Sequence, residues 1–456
     1  MPSSLEVVVL AAGKGTRMRS ALPKVLHPLA GMPMLHHGLV KAQALGATQT
    51  HVVVGHQAEV VQAKTPTAVN WVLQEQQLGT GHAMQQVLPH VADDAVVLNL
   101  YGDVPLVSEE TLERCVAAAE SGRVALVTAD FADPAALGRI VRDDAGAIQA
   151  IVEYKDANEA QRAITEINSG ILAAPATQLK TLLAQITNDN AQGEYYLTDI
   201  IELAVAAGIE VEGVLAATPE EVTGVNDRVQ LAELERFFQQ QQAEALQRGG
   251  VTIADPARID IRGSVTAGED VFIDVNVVFE GDVVLESGAS IGPHTHIRNA
   301  RIGAGARVES NSTVDGAVLG ARASVGPFAR IRPGSELGED VKIGNFVETK
   351  KAQLGARSKA SHLTYLGDVS IGSDCNIGAG TVTCNYDGIN KHRTEIGDDV
   401  FVGTNSTLVA PLALGSGSFV AAGSTITHDL GDAELGVGRG KQRNIQGWTR
   451  PDKRGP

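Results

Sequence analysis

The chain has 456 residues, 43% hydrophobic and 20% charged, a soluble globular composition long enough for two or three domains. Its net charge of −17 argues against a nucleic-acid partner or an anionic membrane surface, and no apolar run reaches spanning length. Three cysteines without CxxC or zinc spacing, and an amino terminus with no basic region before its first apolar run, point to a reduced, cytoplasmic compartment.

To about residue 225, short apolar runs alternate with helical patterns, as in an α/β domain with a largely parallel sheet. The spacing predicts strands at Val7–Leu10, Val52–Gly55, Trp71–Gln74 and Val96–Leu100. Helices are predicted at Met34–Leu45, His82–Leu88 and Glu109–Ala119. Ligands of such sheets collect at the carboxyl ends of the strands. There the first strand runs into Leu10-Ala11-Ala12-Gly13-Lys14-Gly15-Thr16-Arg17-Met18, followed by Pro23-Lys24. Glycines let successive backbone N–H groups cradle phosphate oxygens, and Lys14, Arg17 and Lys24 can neutralise a triphosphate. The spelling excludes a Walker loop, and Met18 stands where the dinucleotide fingerprint needs glycine. Asp103, just past the fourth strand, is either a helix cap or a carboxylate able to hold Mg²⁺ against that triphosphate.

Asp227–Gln247 reads as a connecting helix with Leu231, Leu234, Phe238 and Ala245 on one stripe, ended by Gly249-Gly250. The expected domains are therefore 1–226, a linker helix 227–250, and 251–456.

From Val265 to Ile426 an aliphatic residue returns every sixth position. Val265, Val271, Val277 and Val283 form one run, and Leu319, Val325, Ile331, Leu337 and Ile343 a second. Ile396, Val402, Leu408, Leu414, Val420 and Ile426 form a third. Period six fits neither an amphipathic helix nor a long alternating strand. It fits a parallel β-helix of hexapeptide repeats, three short strands to a triangular coil, coils stacked ~4.8 Å apart. Gly320, Gly326, Gly338 and Gly344, directly behind four of the aliphatic residues, are expected at corners, where glycine costs least strain. Asn345–Gly367 and Thr383–Glu395 break the frame and are expected to loop out and build a binding site. Cys375 and Cys384 read as small buried fillers, and His294 and His296 as structural residues.

Further motifs follow in order: Gln77-Leu-Gly79-Thr80-Gly-His-Ala83, Tyr101-Gly102-Asp103, Glu153-Tyr-Lys155, Glu166-Ile-Asn168-Ser-Gly170 and Gly193–Asp199. The repeats add Arg332-Pro-Gly, Phe346-Val-Glu348-Thr-Lys350-Lys351, Ser361-His362-Leu-Thr-Tyr365-Leu-Gly367-Asp and Asn376-Ile-Gly-Ala379-Gly. Over nearly its whole length the chain resembles the bacterial bifunctional N-acetylglucosamine-1-phosphate uridylyltransferases/glucosamine-1-phosphate N-acetyltransferases. The resemblance implies a Rossmann-like nucleotidyltransferase domain and then a left-handed β-helix, a hand opposite to the usual rule for parallel crossovers. It also implies a homotrimer with acetyl sites between subunits, a basic tail from Arg439 to Arg454 folded on a neighbour, and Mg²⁺ with UTP and acetyl-coenzyme A as co-substrates.

Residue by residue, the resemblance assigns Leu10, Ala11, Ala12, Gly13, Lys24, Gln74, Gly79, Thr80, Tyr101, Gly102 and Asp103 to the nucleotide. Gly138, Glu153 and Asn168 go to the sugar nucleotide, and Asp103 and Asn226 to the metal. Gln74 carries both a donor and an acceptor, which suits uracil's imide edge. Arg17 and Lys24 face the developing charge as N-acetylglucosamine 1-phosphate attacks UTP. In the repeats His362 is the expected general base for acetylating glucosamine 1-phosphate, and Glu348 could orient it. Arg332, Lys350, Tyr365 and Asn376 are assigned to the acceptor sugar, Ala379, Thr404, Ala422 and Arg439 to acetyl-coenzyme A, and Asn385 and Tyr386 to that shared neighbourhood. The resemblance would put serine at Thr404, and either hydroxyl can hydrogen-bond. The rival reading keeps nucleotidyl transfer alone and makes the β-helix a scaffold, which has no need of His362 or the Asn385-Tyr386 insertion.

Overall fold

The computed structural model describes residues 4–190 and 192–450, and the chain divides into two compact units at Phe238/Gln239. In the first unit nine strands form one sheet among the described residues. They are β1 Leu5–Leu10, β2 Gln49–Val54, β3 Asn70–Leu73, β4 Val96–Tyr101, β5 Val124–Asp130, β6 Arg139–Arg142, β7 Ile148–Val152, β8 Glu166–Pro175 and β9 Val211–Leu215. Their order is β9-β5-β8-β4-β1-β2-β3, with β8 antiparallel to both neighbours and the β6–β7 hairpin attached to β8. Five consecutive buried residues in β1 are what a parallel strand covered on both faces requires. Val7 and Val9 face one core and Val8 and Leu10 the other.

The chain leaves β1 towards β2 and β3 and returns to β4 on the other side of β1. The crevice at this reversal of strand order, past Leu10 and Tyr101, is where an open sheet binds ligands. The predicted strands and helices of this half are all present, α1 at Met34–Ala44, α2 at Thr80–Val87 and α3 at Glu109–Glu120.

Helix α4, Arg228–Arg248, spans the boundary between units. Leu234 is buried, and Leu231 and Phe238 pack with it against Met18, Leu29 and Met34 of the first unit. Beyond Phe238 the expected stripe fails, because Ala245 is exposed. The second half of the helix serves a different core, so its inward positions are Ala243 and Leu246. Gln239 there donates to Ile261 O (2.8 Å) and accepts from Ile261 N (2.7 Å).

The second unit is a stack of parallel coils whose aliphatic residues form one continuous core. Along one sheet, strands begin at Ser324, Lys342, Lys359, Asn376 and Phe401, at intervals of 18, 17, 17 and 25. The two frame breaks therefore differ in kind. Asn345–Gly367 holds no insertion and runs through strands 342–345, 348–354, 359–362 and 365–371 in register. Its coils are one residue short, which shifts the sixfold frame without opening a loop. Thr383–Glu395 does leave the stack, as a projection closed by an antiparallel bridge between Tyr386 and Lys391.

Of the four glycines expected at corners, Gly326 has φ 106° and fits that reason, whereas Gly320, Gly338 and Gly344 have no left-handed conformation. Left-handed turns at the corners are taken by Arg322, Asp340, Arg357 and Asp374 along one edge and by Phe328, Phe346 and Leu363 along another. Gly344 has no such conformation, but a Cβ there would stand 1.9 Å from Ser361 O of the next coil. Close stacking, not backbone strain, selects glycine at that position. Cys375 is buried as expected, whereas Cys384 is only partly so. His296 pairs with Glu280 at 2.9 Å, and His294 lies 3.3 Å from the Asn276 amide.

Two alanine substitutions separate the two uses of glycine. Gly344→Ala should destabilise the second unit by about 1–3 kcal/mol through overpacking. Gly38→Ala, inside α1 where an added Cβ meets nothing within 4 Å, should stabilise the first by about 0.5–1 kcal/mol. Chemical denaturation of each variant measures both.

Candidate active sites

Past β1 the backbone turns through Gly15 (φ 58°) into a short helical turn at Thr16–Met18. A Cβ at Gly15 would lie 2.5 Å from Lys24 Cβ, so the glycine lets Lys24 close over the loop. Lys24 Nζ is paired with Asp103 Oδ2 and lies 3.4 Å from Asn226 Oδ1, to which Arg17 donates at 2.8 Å. The Asn226 segment is pinned to the end of β4 by Val225 N donating to Asp103 O (2.9 Å). Two hard oxygens, one carboxylate and one amide, thus converge on a point already favourable to positive charge. That donor set fits Mg²⁺. Lys14 is exposed and makes no hydrogen bond or ion pair among the described residues.

A cavity of about 260 Å³ opens beside this cluster. Ten of the expected nucleotide residues line it: Leu10, Ala11, Ala12, Gly13, Lys24, Gln74, Gly79, Thr80, Tyr101 and Asp103. Gln77 and Glu194 join them. Gly102 lies just outside the lining, with Ala11 and Val25 crowded against it. Gly79 has φ 113°, and a Cβ there would sit 2.4 Å from Tyr195 O, so only glycine lets these segments meet.

Gln74 is buried, and its Nε2 donates to Gly79 O (3.1 Å) and meets His82 Nδ1 (3.0 Å). Both amide hydrogens are committed within the protein. The expected donor-and-acceptor role narrows to that of an acceptor, Oε1.

Gly138, Glu153 and Asn168 form an adjoining cluster. Asn168 N donates to Gly138 O (3.0 Å), and a Cβ on Gly138 would stand 3.2 Å from Glu153 Oε1. Burial, with Asp156 and Asp199 nearby, pushes the Glu153 carboxyl above its ordinary value. The cluster reaches the cavity through Gly170 (φ 79°), where a Cβ would strike the Tyr101 ring at 2.8 Å. Burial first, and then the Asp103 charge, raises the Tyr101 phenol, which stays protonated.

In the second unit His362 stands one coil above Asn345, and its Nδ1 lies 2.6 Å from Asn345 Oδ1. A carbonyl-type oxygen accepts only from a protonated Nδ1, so in the neutral imidazole this contact leaves the lone pair on Nε2. Glu348 is engaged elsewhere: Arg332 NH1 donates to its Oε1 at 2.7 Å. Orientation of the imidazole thus falls to Asn345, which the sequence reading passed over. The signal was present as a separation of 17 residues, one coil.

Around them cations converge. The Lys391 ammonium beside Lys350, with Arg332 also near, holds Lys350 below the usual lysine range. Lys391 is a second residue that sequence reasoning missed, although it lies within the insertion already singled out. Asn385 is buried and donates to Asp368 at 2.5 Å, and exposed Tyr386 donates to Gly388 O at 2.5 Å. His392, with the Ile389 and Asn390 N–H groups, closes the loop on Asp387 and holds that carboxyl well below the usual range. The Tyr365 hydroxyl packs where a side chain on residue 367 would be, which explains Gly367.

Ala379, Thr404 and Ala422 climb one edge on successive coils: Ala379 O accepts from Asn405 N and Thr404 O from Gly423 N, both at 2.7 Å. Asn376 is not brought to Tyr365 within one chain. It lies on the other sheet, where with Arg357, Lys359 and Asp374 it lines a separate hollow of about 440 Å³. Arg439 is exposed just after Gly438, whose carbonyl accepts from Thr425 N (2.9 Å). The last part of the basic stretch, 451–454, lies outside the described residues.

Comparison with known proteins agrees with both halves. Residues 7–170 match the MobA-like NTP transferase domain, 261–355 the GMPPB C-terminal domain, and 368–390 with 393–428 the hexapeptide repeat of succinyl-transferase. The bifunctional protein GlmU of Marinobacter nauticus is 56% identical over 99% of this chain and the whole of its own. The chain belongs to the GlmU family. GlmU proteins of Alkalilimnicola ehrlichii and Stutzerimonas stutzeri are each 55% identical, over 100% and 99% of this chain and 98% and 100% of their own. The stacked coils are accordingly the left-handed parallel β-helix of this GlmU-family chain.

Removing Lys391 tests the cation cluster. In Lys391→Ala the Lys350 ammonium loses its nearest like charge, so its pKa should rise towards the ordinary lysine value in a side-chain NMR titration. An unchanged titration would mean that the two ammonium groups do not face each other.

Proposed function

We infer that this chain performs two consecutive transfers, and that His362 and Asn345 carry the first. The activity is acetylation of glucosamine 1-phosphate by acetyl-coenzyme A, then transfer of UMP from UTP to N-acetylglucosamine 1-phosphate, releasing pyrophosphate. The product is UDP-N-acetylglucosamine for cell-envelope polymers.

In the first reaction Arg332, Lys350 and Lys391 receive the sugar phosphate, and Tyr365 and Asn385 bound the sugar. His362 Nε2 removes a proton from the amine, whose nitrogen forms a bond to the thioester carbonyl carbon as the C–S bond breaks. The imidazolium returns the proton to the departing thiolate. The observation that favours this over a passive scaffold is the 2.6 Å contact that leaves Nε2 free. Ala379, Thr404, Ala422 and Arg439 lie along the course proposed for coenzyme A. Asn376 stands apart from Tyr365 in one chain, and Ile445 and Trp448 of the tail are 75% and 66% exposed. Both features support a homotrimer whose neighbouring copy completes the site.

In the second reaction Gln74 Oε1 accepts the uracil N3–H, a contact that cytosine cannot return because its N3 is an acceptor. Gly138, Glu153 and Asn168 hold the acetylated sugar. A phosphate oxygen of the sugar then attacks the α-phosphorus of UTP in line with the pyrophosphate leaving group. Arg17 and Lys24 face the charge that develops there. Asp103 and Asn226 would hold Mg²⁺, which when bound supplies further neutralisation of the phosphates. No helix among the described residues is long and apolar enough to cross a membrane, and we place the enzyme in the cytoplasm.

His362→Ala should abolish thiol release from acetyl-coenzyme A while uridylyl transfer to pre-acetylated substrate survives. If both activities fall together in a folded protein, the two-site reading fails. Asn345→Leu should lower acetyl-transfer kcat/KM about 10–100-fold by loosening the imidazole. Asp103→Ala should lose uridylyl transfer alone, and unchanged turnover would remove it as a metal ligand.

A further inference from the structure

Among the largest buried side chains of the protein is a cation, Arg139, 2% exposed. It forms no ion pair among the described residues. A buried charge without a counterion is costly unless its donors are satisfied. Here they meet main-chain carbonyls: NH2 donates to Ala135 O (2.9 Å), NH1 to Leu137 O and more weakly to Pro134 O (3.5 Å), and Nε points to Arg162 O (3.4 Å). The guanidinium also lies 5.5 Å from the centre of the Tyr154 ring, with Arg162 4.9 Å from the same centre. Arg162 Nε in turn donates to Tyr154 O at 3.3 Å.

The backbone position of Arg139 gives this arrangement its meaning. Arg139 begins β6 and pairs with Val152 of β7 and Ile167 of β8, so one residue is shared by three strands. The next residues along are Glu153 after Val152 and Asn168 after Ile167, while Gly138 precedes Arg139 itself. These are the three groups assigned to the acetylated sugar, and each lies one step from the node. The side chain at the node gathers the 134–137 segment that leads into Gly138. Through Tyr154 it also steadies the residue next to Glu153.

We propose that Arg139 is a positioning residue for uridylyl transfer, with Tyr154 as its partner, setting the fit of the sugar pocket without touching substrate. This rests on the assignment of Gly138, Glu153 and Asn168 to the sugar. Methionine matches the length of the Arg139 stem but donates to no carbonyl, so Arg139→Met releases the 134–137 segment. A Tyr154→Phe ring retains the cation–π face, whereas Tyr154→Leu loses it.

The test is steady-state kinetics of the full-length chain, with acetyl transfer measured in parallel as a control for folding. Arg139→Met should raise KM for N-acetylglucosamine 1-phosphate at least tenfold, while KM for UTP stays within about twofold and acetyl transfer is unchanged. Tyr154→Leu should raise the same KM, and Tyr154→Phe should restore it. A purely structural role would lower the active fraction, and so kcat, and leave KM alone. An unchanged sugar KM in Arg139→Met, or an equal rise for both substrates, overturns the proposal. If Arg139→Met does not fold, the Tyr154 pair decides it by the same criterion. Failure of the wild-type chain to couple N-acetylglucosamine 1-phosphate to UTP would instead overturn the functional reading beneath it.

Discussion

Parallel stacking of one coil on the next is the constraint from which the second unit follows. It makes neighbours of residues 17 or 18 apart, so that sequence spacing becomes spatial contact with little freedom. Arg357 and Asp374 meet at 2.6 and 2.7 Å through this rule, as do Arg322 and Asp340 at 2.9 Å. The Phe401 and Phe419 rings stack at 4.6 Å for the same reason. The exposed charged pairs each contribute little to stability. The same geometry applied to Asn345 and His362 has a chemical effect, because the contact favours the neutral tautomer with its proton on Nδ1.

The first unit works by convergence instead. Its sheet brings the ends of β1 and β4 side by side, and segments far apart in the chain then meet at Lys24. One ammonium is shared between Asp103 and Asn226, and Asn226 is shared with Arg17. Such a cluster gathers cations and oxygen ligands around the place where a triphosphate would lie. Neighbouring glycines matter mainly for what they allow to approach, Gly79 for Tyr195 and Gly170 for Tyr101.

Strands β1 to β4 and helices α1 to α3 of the first unit were legible because apolar runs and helical periodicity follow directly from burial. Strands β5 to β9, with their antiparallel pairings, were not read from the sequence. The six-residue period gave the repeat architecture equally plainly. Contacts made across coils were harder to read. Glu348 could have oriented His362, but the register stacks it between Arg330 and Tyr365, and its carboxylate accepts from Arg332. Glycines after the aliphatic residues suggested corners, yet at Gly344 the deciding factor is the backbone of the next coil. Ala245 fitted a single helical stripe, which cannot describe a helix whose two halves face different cores. A one-residue deletion in the frame at Asn345–Gly367 looked like an insertion, because sequence period alone does not distinguish a short coil from a long one.

The 25-residue coil separates architecture from recognition. Asn376–Ile377 pairs with Phe401–Val402 as if the intervening projection were not there. The loop that carries Asn385, Tyr386 and Lys391 is therefore a graft on an uninterrupted stack, held at its neck by the Tyr386–Lys391 bridge. The register that aligns the imidazole with its amide runs past this projection without it. Sequence change within the projection is thus uncoupled from the stacking of the coils on either side of it.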